Sequence, residues 1–160
     1  MNNMEIIAKN LKETEKLATG FVKKVLMGAE KKEATVVLLE GELGAGKTAF
    51  TKAVAKNLGI KNVVRSPTFI IQKIYKLRNK KYNQLVHIDA YRFKDAGETK
   101  VLELENIFNN PRNLVVIEWP QNILSVLPPK SHKIIFTFID ESKRKIKIYP
   151  PKFSAKYIKK

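Results

Sequence analysis

The chain has 160 residues, of which 44% are hydrophobic, and its 31 basic and 15 acidic residues give a formal net charge of +16. This length predicts a single domain, residues 1–160, with a sizeable core. The absence of cysteine excludes disulfides and thiolate metal sites. No apolar stretch is long enough to cross a bilayer, so we expect a cytoplasmic protein with no membrane partner.

The positive charge suggests a nucleic-acid partner, because lysine attracts polyanions without regard to sequence. However, only five of the 31 basic residues are arginine, and the lysines are scattered along the whole chain. This distribution is more typical of a lysine-rich solvated surface than of a dedicated RNA-binding face. The basic tail over residues 150–160 is expected to be exposed.

The first predicted elements are a helix over residues 11–27 and a strand over Thr35–Glu40. Asn10 followed by Glu13 resembles a capping box, and an apolar stripe at helical spacing follows it. The strand is a continuous apolar and β-branched run, which is typical of a strand buried on both faces.

The next eight residues, Gly41-Glu42-Leu43-Gly44-Ala45-Gly46-Lys47-Thr48, match the phosphate-binding pattern G-x-x-x-x-G-K-[ST] at every fixed position. A helical pattern follows and ends near Gly59. In such a loop, glycines let backbone N–H groups and the helix N-terminus approach phosphates. Lys47 would supply a point charge to the phosphates and the Thr48 hydroxyl a ligand for Mg²⁺. The motif therefore predicts nucleoside triphosphate binding.

The second half of the chain predicts alternating helices and strands. Residues 68–77 and 82–89 read as two strands joined by a turn, and so short a connection requires an antiparallel pair. The remaining predicted elements are a helix over 94–110, a buried strand over Asn113–Glu118, a short helix over 121–127, and an antiparallel pair over 133–139 and Arg144–Tyr149. The fold class is therefore α/β, a P-loop three-layer fold with a mixed parallel and antiparallel central sheet.

Two carboxylates follow buried strands. Asp89 and Glu118 each end an apolar run, and ligands of open α/β sheets gather at such strand ends. Either side chain could position Mg²⁺ or the attacking water. Ser66 and Thr68 could reach a γ-phosphate from the intervening loop, whereas His87 has no second ligand at metal-binding spacing and is interpreted as structural.

Four motifs, in this order and spacing, make the chain resemble the TsaE family, also called YjeE. They are the P-loop itself, Ser66-Pro67-Thr68-Phe69, His87-Ile88-Asp89-Ala90-Tyr91-Arg92-Phe93 and Ile117-Glu118-Trp119-Pro120. One departure is visible, because Glu103 stands where the family usually has a glycine after its Glu-rich helix. The resemblance covers roughly residues 11–148.

The resemblance implies an ATP and Mg²⁺ site with residue roles carried over motif by motif. Lys47, Asp89 and Glu118 are the expected catalytic residues, and Thr48 and Glu118 the expected metal ligands. Which of the two acids is the general base stays open. The expected nucleotide-binding residues are Gly41, Glu42, Leu43, Gly44, Ala45, Gly46, Lys47, Thr48, Ala49, Thr68 and Trp119.

The resemblance also implies the biological setting. TsaE proteins are ATPases required, with their partners TsaB and TsaD, for the threonylcarbamoyladenosine modification at position 37 of tRNAs that read ANN codons. We therefore expect an ATPase that is weak alone, active within that complex, and connected to tRNA indirectly. The alternatives are a P-loop small-molecule kinase and a non-hydrolysing, nucleotide-gated RNA-binding module.

Overall fold

The computed structural model describes residues 3–26, 28, 32–61 and 64–151. Of the tail that was predicted to be exposed over residues 150–160, Pro150 is buried and Pro151 half-buried. The rest of the tail, from Lys152 onward, and the predicted end of the first helix at Met27 lie outside the described residues. The strands are β1 Met4–Ala8, β2 Thr35–Glu40, β3 Gln72–Lys76, β4 Gln84–Asp89, β5 Asn113–Glu118, β6 His132–Phe138 and β7 Arg144–Tyr149. The α-helices are α1 Leu11–Phe21, α2 Lys47–Asn57 and α3 Leu104–Phe108. Shorter helical segments are the π-helix Val22–Leu26 and the 3₁₀ helices Ala90–Arg92, Ala96–Leu102 and Pro120–Val126.

The strands form one mixed sheet in the order β1-β7-β6-β2-β5-β4-β3. Strand β2 is parallel to β5 and β6, and β4 is parallel to β5. The pairs β3–β4, β6–β7 and β1–β7 are antiparallel. The predicted α/β fold with a mixed sheet is therefore confirmed, including both antiparallel pairs.

The sheet carries a hydrophobic core on each face. Leu39 of β2 packs in the core shared with α1 and α2, whereas its neighbour Leu38 packs in the opposite core, which contains Phe108 of α3. This division follows from the period-2 alternation of side chains along a strand. Fully burying one leucine side chain contributes about 1.5–3 kcal/mol, so both faces hold the central strands in place.

The two helices beside β2 begin in different ways. Asn10 caps α1, since its side-chain oxygen accepts from the Glu13 N–H at 3.0 Å, and Glu13 in turn accepts from the Lys9 N–H at 2.7 Å. The structure thus differs from the predicted capping box in one bond, because Glu13 accepts from the N–H of Lys9 and not from that of the capping residue Asn10. Helix α2 has no side-chain cap, because its N-cap residue, Gly46, has no side chain. The N–H groups of its first turn are therefore left for another acceptor.

Three predicted elements are wrong in position. The strand predicted over 68–77 begins only at Gln72, because the chain turns after Pro67, whose carbonyl accepts from the Ile70 N–H at 2.9 Å. Its antiparallel partner, predicted to begin at Tyr82, begins at Gln84. The helix predicted over 94–110 is a 3₁₀ segment and a short α-helix, separated by Glu103 in the left-handed region at φ 49°.

Strand β1 was not predicted at all. It covers Met4–Ala8, lies at the edge of the sheet and pairs with β7, with Met4 opposite Ile148. Most of its side chains are exposed or half-buried. Its sequence, Met4-Glu5-Ile6-Ile7-Ala8, is interrupted by a charged residue and is therefore a weaker strand signal than the longer apolar runs of the central strands.

Candidate nucleotide-binding site

The P-loop connects β2 to α2, and its backbone depends on glycine. Gly44 and Gly46 have φ of 74° and 104°, a region that L side chains rarely adopt. Gly41 is also constrained by space, because a Cβ there would lie 2.5 Å from the Phe136 carbonyl oxygen. The loop can therefore pass close to β6 while its N–H groups turn toward the start of α2.

Lys47 points back into this loop. Its Nζ donates hydrogen bonds to the carbonyls of Gly41, at 2.7 Å, and Glu42, at 2.8 Å. The ammonium also lies 4.2 Å from the centroid of the Trp119 ring. Burial lowers the pKa of Lys47, and the nearby carboxylates of Glu118 and Asp89 oppose that shift. A phosphate near this ammonium would supply the counter-charge that the two carbonyls supply only in part.

The two predicted carboxylates lie side by side. Asp89 and Glu118 are register partners at the C-terminal ends of β4 and β5, and each is 3% exposed. Parallel pairing brings these strand ends to one edge of the sheet, beside the P-loop. A buried carboxylate must be hydrogen-bonded or paired, and the two acids meet that requirement in different ways.

Asp89 is held by the loop that precedes β3. Its Oδ2 accepts from the hydroxyls of Thr68, at 2.5 Å, and Ser66, at 3.0 Å. Its Oδ1 accepts from the Tyr91 N–H at 3.0 Å. The Ser-Pro-Thr segment therefore reaches the edge of the cavity, where its two hydroxyls bond the Asp89 carboxylate.

Glu118 is held by α2 and by the sheet. Both of its carboxylate oxygens lie within reach of the Thr48 hydroxyl, at 3.0 and 3.2 Å, and its Oε1 lies 2.8 Å from His87 Nε2. A hydroxyl and a carboxylate together offer the hard oxygen ligands that Mg²⁺ prefers, with phosphates and water completing the shell. The residues at this corner therefore fit the cation.

Trp119 and Tyr91 form an aromatic pair at the edge of the site. Their ring centroids are 5.1 Å apart, and Trp119 has φ of 58°, so it turns sharply away from β5. A left-handed conformation at a bulky residue costs about 1–3 kcal/mol, which indicates that surrounding contacts impose it.

The Arg92 guanidinium does not line the cavity. It lies 4.9 Å from the centroid of the exposed Phe69 ring.

A cavity of about 360 Å³ unites most of the predicted site residues. The predicted residues that line it are Leu43, Gly44, Gly46, Lys47, Thr48, Ala49, Thr68, Asp89, Glu118 and Trp119. Ser66 and Tyr91 line it as well. Three predicted residues do not: Gly41 and Glu42 lie behind it and accept hydrogen bonds from Lys47, and Ala45 is buried.

His87 is the residue that sequence reasoning placed outside the site. It is fully buried, and its imidazole contacts Glu118 directly. A signal existed in the sequence, because His87 stands two residues before Asp89 and therefore on the same face of β4. Without the pairing of β4 with β5, however, nothing pointed to Glu118 as its neighbour.

Comparison with known proteins agrees with this geometry. The family model for threonylcarbamoyl adenosine biosynthesis protein TsaE matches residues 8–146, which include the P-loop, both carboxylates and Trp119. The chain belongs to the TsaE family. Its role is in the biosynthesis of threonylcarbamoyladenosine in tRNA, and TsaE membership implies nucleotide binding.

Individual TsaE relatives cover most of the chain. The tRNA threonylcarbamoyladenosine biosynthesis protein TsaE of Aquifex aeolicus is 35% identical over 147 residues, covering 91% of this chain and 95% of the relative. The Bacillus subtilis TsaE is 39% identical over 121 residues, covering 76% and 73%. The crystal structure of Bacillus subtilis YdiB superposes with a TM-score of 0.72 at 27% identity, covering 98% of this chain and 94% of that one.

Proposed function

We propose that this TsaE family member binds ATP with Mg²⁺ and hydrolyses it to drive the threonylcarbamoyladenosine complex through successive turnovers. The observation that carries the proposal is the meeting of Lys47, Thr48, Asp89 and Glu118 at one cavity beside the P-loop. These groups supply a phosphate contact, a metal ligand and two carboxylates, which is the set that P-loop hydrolysis requires.

Each side chain has a role that its contacts support. Lys47 exchanges its bonds to the two loop carbonyls for phosphate oxygens, while the N–H groups at the start of α2 bind the same phosphates. Thr48 and Glu118 hold Mg²⁺, which would neutralise charge on the phosphates. Asp89 positions Thr68 at the γ-phosphate end of the site. Either Asp89 or Glu118 accepts the proton of the attacking water.

The isolated chain is expected to hydrolyse ATP slowly. Lys47 is the one cation among the residues that line the cavity in the described part of the chain, and no arginine is among them. P-loop enzymes that lack a catalytic arginine of their own gain one from a partner protein, which raises the rate of hydrolysis about 10³–10⁵-fold. We therefore assign partner-dependent activity to the complex with TsaB and TsaD, which contacts the tRNA.

The proposed setting is the cytoplasm, where these partners and the tRNA are expected. Among the described residues, no helix is long and apolar enough to span a membrane.

The test is multiple-turnover threonylcarbamoyladenosine formation on tRNA by purified TsaD and TsaB, with and without this chain. Wild type should sustain turnover beyond the first cycle, whereas Lys47→Ala and Glu118→Ala should behave like no addition. Glu105→Ala is the matched control, because Glu105 is an exposed acid on α3. Equal turnover with all four proteins would contradict the proposal, and transfer of label from ATP to a small metabolite would favour a kinase.

A further inference from the structure

His87 lies in an environment that is unusual for an imidazole. Its side chain has no exposed surface, and Val116 of β5 is its register partner. On the same face of β4, Leu85 lies fully buried in the apolar core. A leucine or valine would therefore satisfy the packing at this position, so a polar ring here needs another explanation.

The hydrogen bonding of the His87 ring explains why a polar side chain occupies this position. Its Nε2 lies 2.8 Å from Glu118 Oε1, whereas its Nδ1 is buried and has no hydrogen-bond partner among the described residues. An ionised carboxylate only accepts hydrogen bonds, so the pairing assigns Nε2–H as the donor of the hydrogen bond to Glu118 Oε1. An imidazole with one buried nitrogen unpaired is a poor core residue. Among the described residues, the contact with Glu118 is the single polar interaction of the His87 side chain.

We propose that His87 is a positioning residue that holds the Glu118 carboxylate toward Thr48. The imidazole is fixed within the sheet and anchors Oε1 from the side away from the P-loop, so that the remaining lone pairs face the Thr48 hydroxyl. The inference rests on the proposed function of Glu118 as a metal ligand. It adds a residue that prepares this ligand before nucleotide and cation arrive.

The geometry of the donor can be tested with two amide side chains. In His87→Gln the amide nitrogen can occupy the position of Nε2, whereas in His87→Asn the shorter side chain places it near Nδ1, out of reach of Glu118. We expect kcat for ATP hydrolysis in the TsaB–TsaD complex to fall about 10–100-fold in His87→Asn, as for other residues that orient metal ligands. His87→Gln should stay within about threefold of wild type in both kcat and KM for ATP, whereas His87→Asn should also raise KM, because its weaker hold on Mg²⁺ weakens binding of the nucleotide with the cation.

A second measurement does not depend on catalysis. Trp119 lies beside Lys47 in the site, so its fluorescence can report nucleotide affinity in the isolated chain with Mg²⁺ or with EDTA. Wild type and His87→Gln should bind the nucleotide more tightly with Mg²⁺ than with EDTA. In His87→Asn this increase in affinity due to Mg²⁺ should be smaller by about 10-fold or more, whereas the affinity in EDTA should equal that of wild type. His132→Asn is the matched control, because the ring of this second histidine, on β6, packs against Phe21 of α1 and lies outside the cavity.

The results separate this inference from the proposed function. Failure of wild type to bind or hydrolyse ATP would remove the proposed function, whereas failure of the inference appears only as a difference among variants. Equal behaviour of His87→Asn and wild type would overturn it. Equal impairment of Gln and Asn would also overturn it, as would unfolding of both variants in a thermal melt, because either result assigns His87 to packing.

Discussion

Asp89 and Glu118 occupy matched positions on neighbouring strands, yet different parts of the molecule hold their side chains. They are register partners with the same 3% exposure. Asp89 is bonded by Ser66 and Thr68 from a loop, whereas Glu118 is bonded by Thr48 of α2 and His87 of β4. One carboxylate therefore responds to the position of a loop, and the other is fixed by regular secondary structure.

Backbone strain accompanies both acids. Ile71, whose carbonyl accepts from the Asp89 N–H at 2.8 Å, has φ of 66°, and Trp119, which follows Glu118, has φ of 58°. Each conformation costs about 1–3 kcal/mol for a side chain of this size. The conformation of Ile71 shapes the loop beside Asp89. The conformation of Trp119 directs the chain away from the sheet after Glu118.

The largest effect is expected when Glu118 loses its charge. Glu118→Gln should lower ATP hydrolysis in the TsaB–TsaD complex about 100-fold or more, because a neutral amide is a weak metal ligand and cannot accept a proton. Nucleotide binding measured by Trp119 fluorescence in EDTA should change little. The exposed Glu105→Gln is the control, and a Glu118→Gln variant with unchanged turnover would remove Glu118 from catalysis.

A different measurement should single out Asp89. Asp89→Asn replaces charge-assisted bonds, worth about 1.5–3 kcal/mol each, with weaker ones. Amide hydrogen exchange over residues 64–71 should therefore become about 10-fold faster or more, whereas Glu118→Gln should leave that segment unchanged. Equal acceleration by both variants would mean that the two acids support the loop together.

A smaller effect is expected from the hydroxyls that bond Asp89. Thr68→Val removes a 2.5 Å hydrogen bond while keeping the side-chain shape, and exchange over residues 64–71 should rise about fivefold, equivalent to roughly 1 kcal/mol. Combined with Asp89→Asn, it should add little, because both variants remove the same contact. Thr137→Val, at an exposed position on β6, should have no effect on this segment. Fully additive effects would disprove the coupling.

The smallest effect concerns Glu103, which is the third non-glycine residue with positive φ among the described residues and, unlike Ile71 and Trp119, is neither bonded to nor adjacent to one of the two acids. Glu103→Gly should relieve the left-handed strain at φ 49° and raise stability by about 0.5–1 kcal/mol after the entropic cost of glycine, or about 1–4 °C in Tm. Glu105→Gly, two residues later within α3, should lower Tm instead. A fall in Tm for Glu103→Gly would show that side-chain contacts, rather than the backbone, govern this position.

The sequence was sufficient wherever a local pattern determines the structure. The P-loop, the buried strands beside it and the two strand-end acids all follow from motif spacing and apolar runs. The break at Glu103 was hidden, because the composition of residues 94–110 is helical throughout. Only the resemblance to the TsaE family drew attention to this position.

The features that were missed depend on distant partners. The contact of His87 with Glu118 requires two strands to pair, and the turn at Ile71 depends on hydrogen bonds to Pro67 and Asp89. The pattern of residues 68–71 is apolar enough for a strand, but tertiary contacts keep the chain out of the ladder. Local propensity therefore pointed to the candidate site and left the hydrogen bonds within it unresolved.

The edge of the sheet has a consequence for folding during synthesis. Strand β1 is the first strand of the chain, yet its partner β7 follows more than 130 residues later, with Ala8 opposite Arg144. At translation rates of about 5–20 residues per second, β1 waits roughly 7–30 s for its partner to be made. During that time its unpaired backbone is open to other chains. The charged side chains of Glu5 within the strand and Lys9 directly after it protect against premature strand pairing.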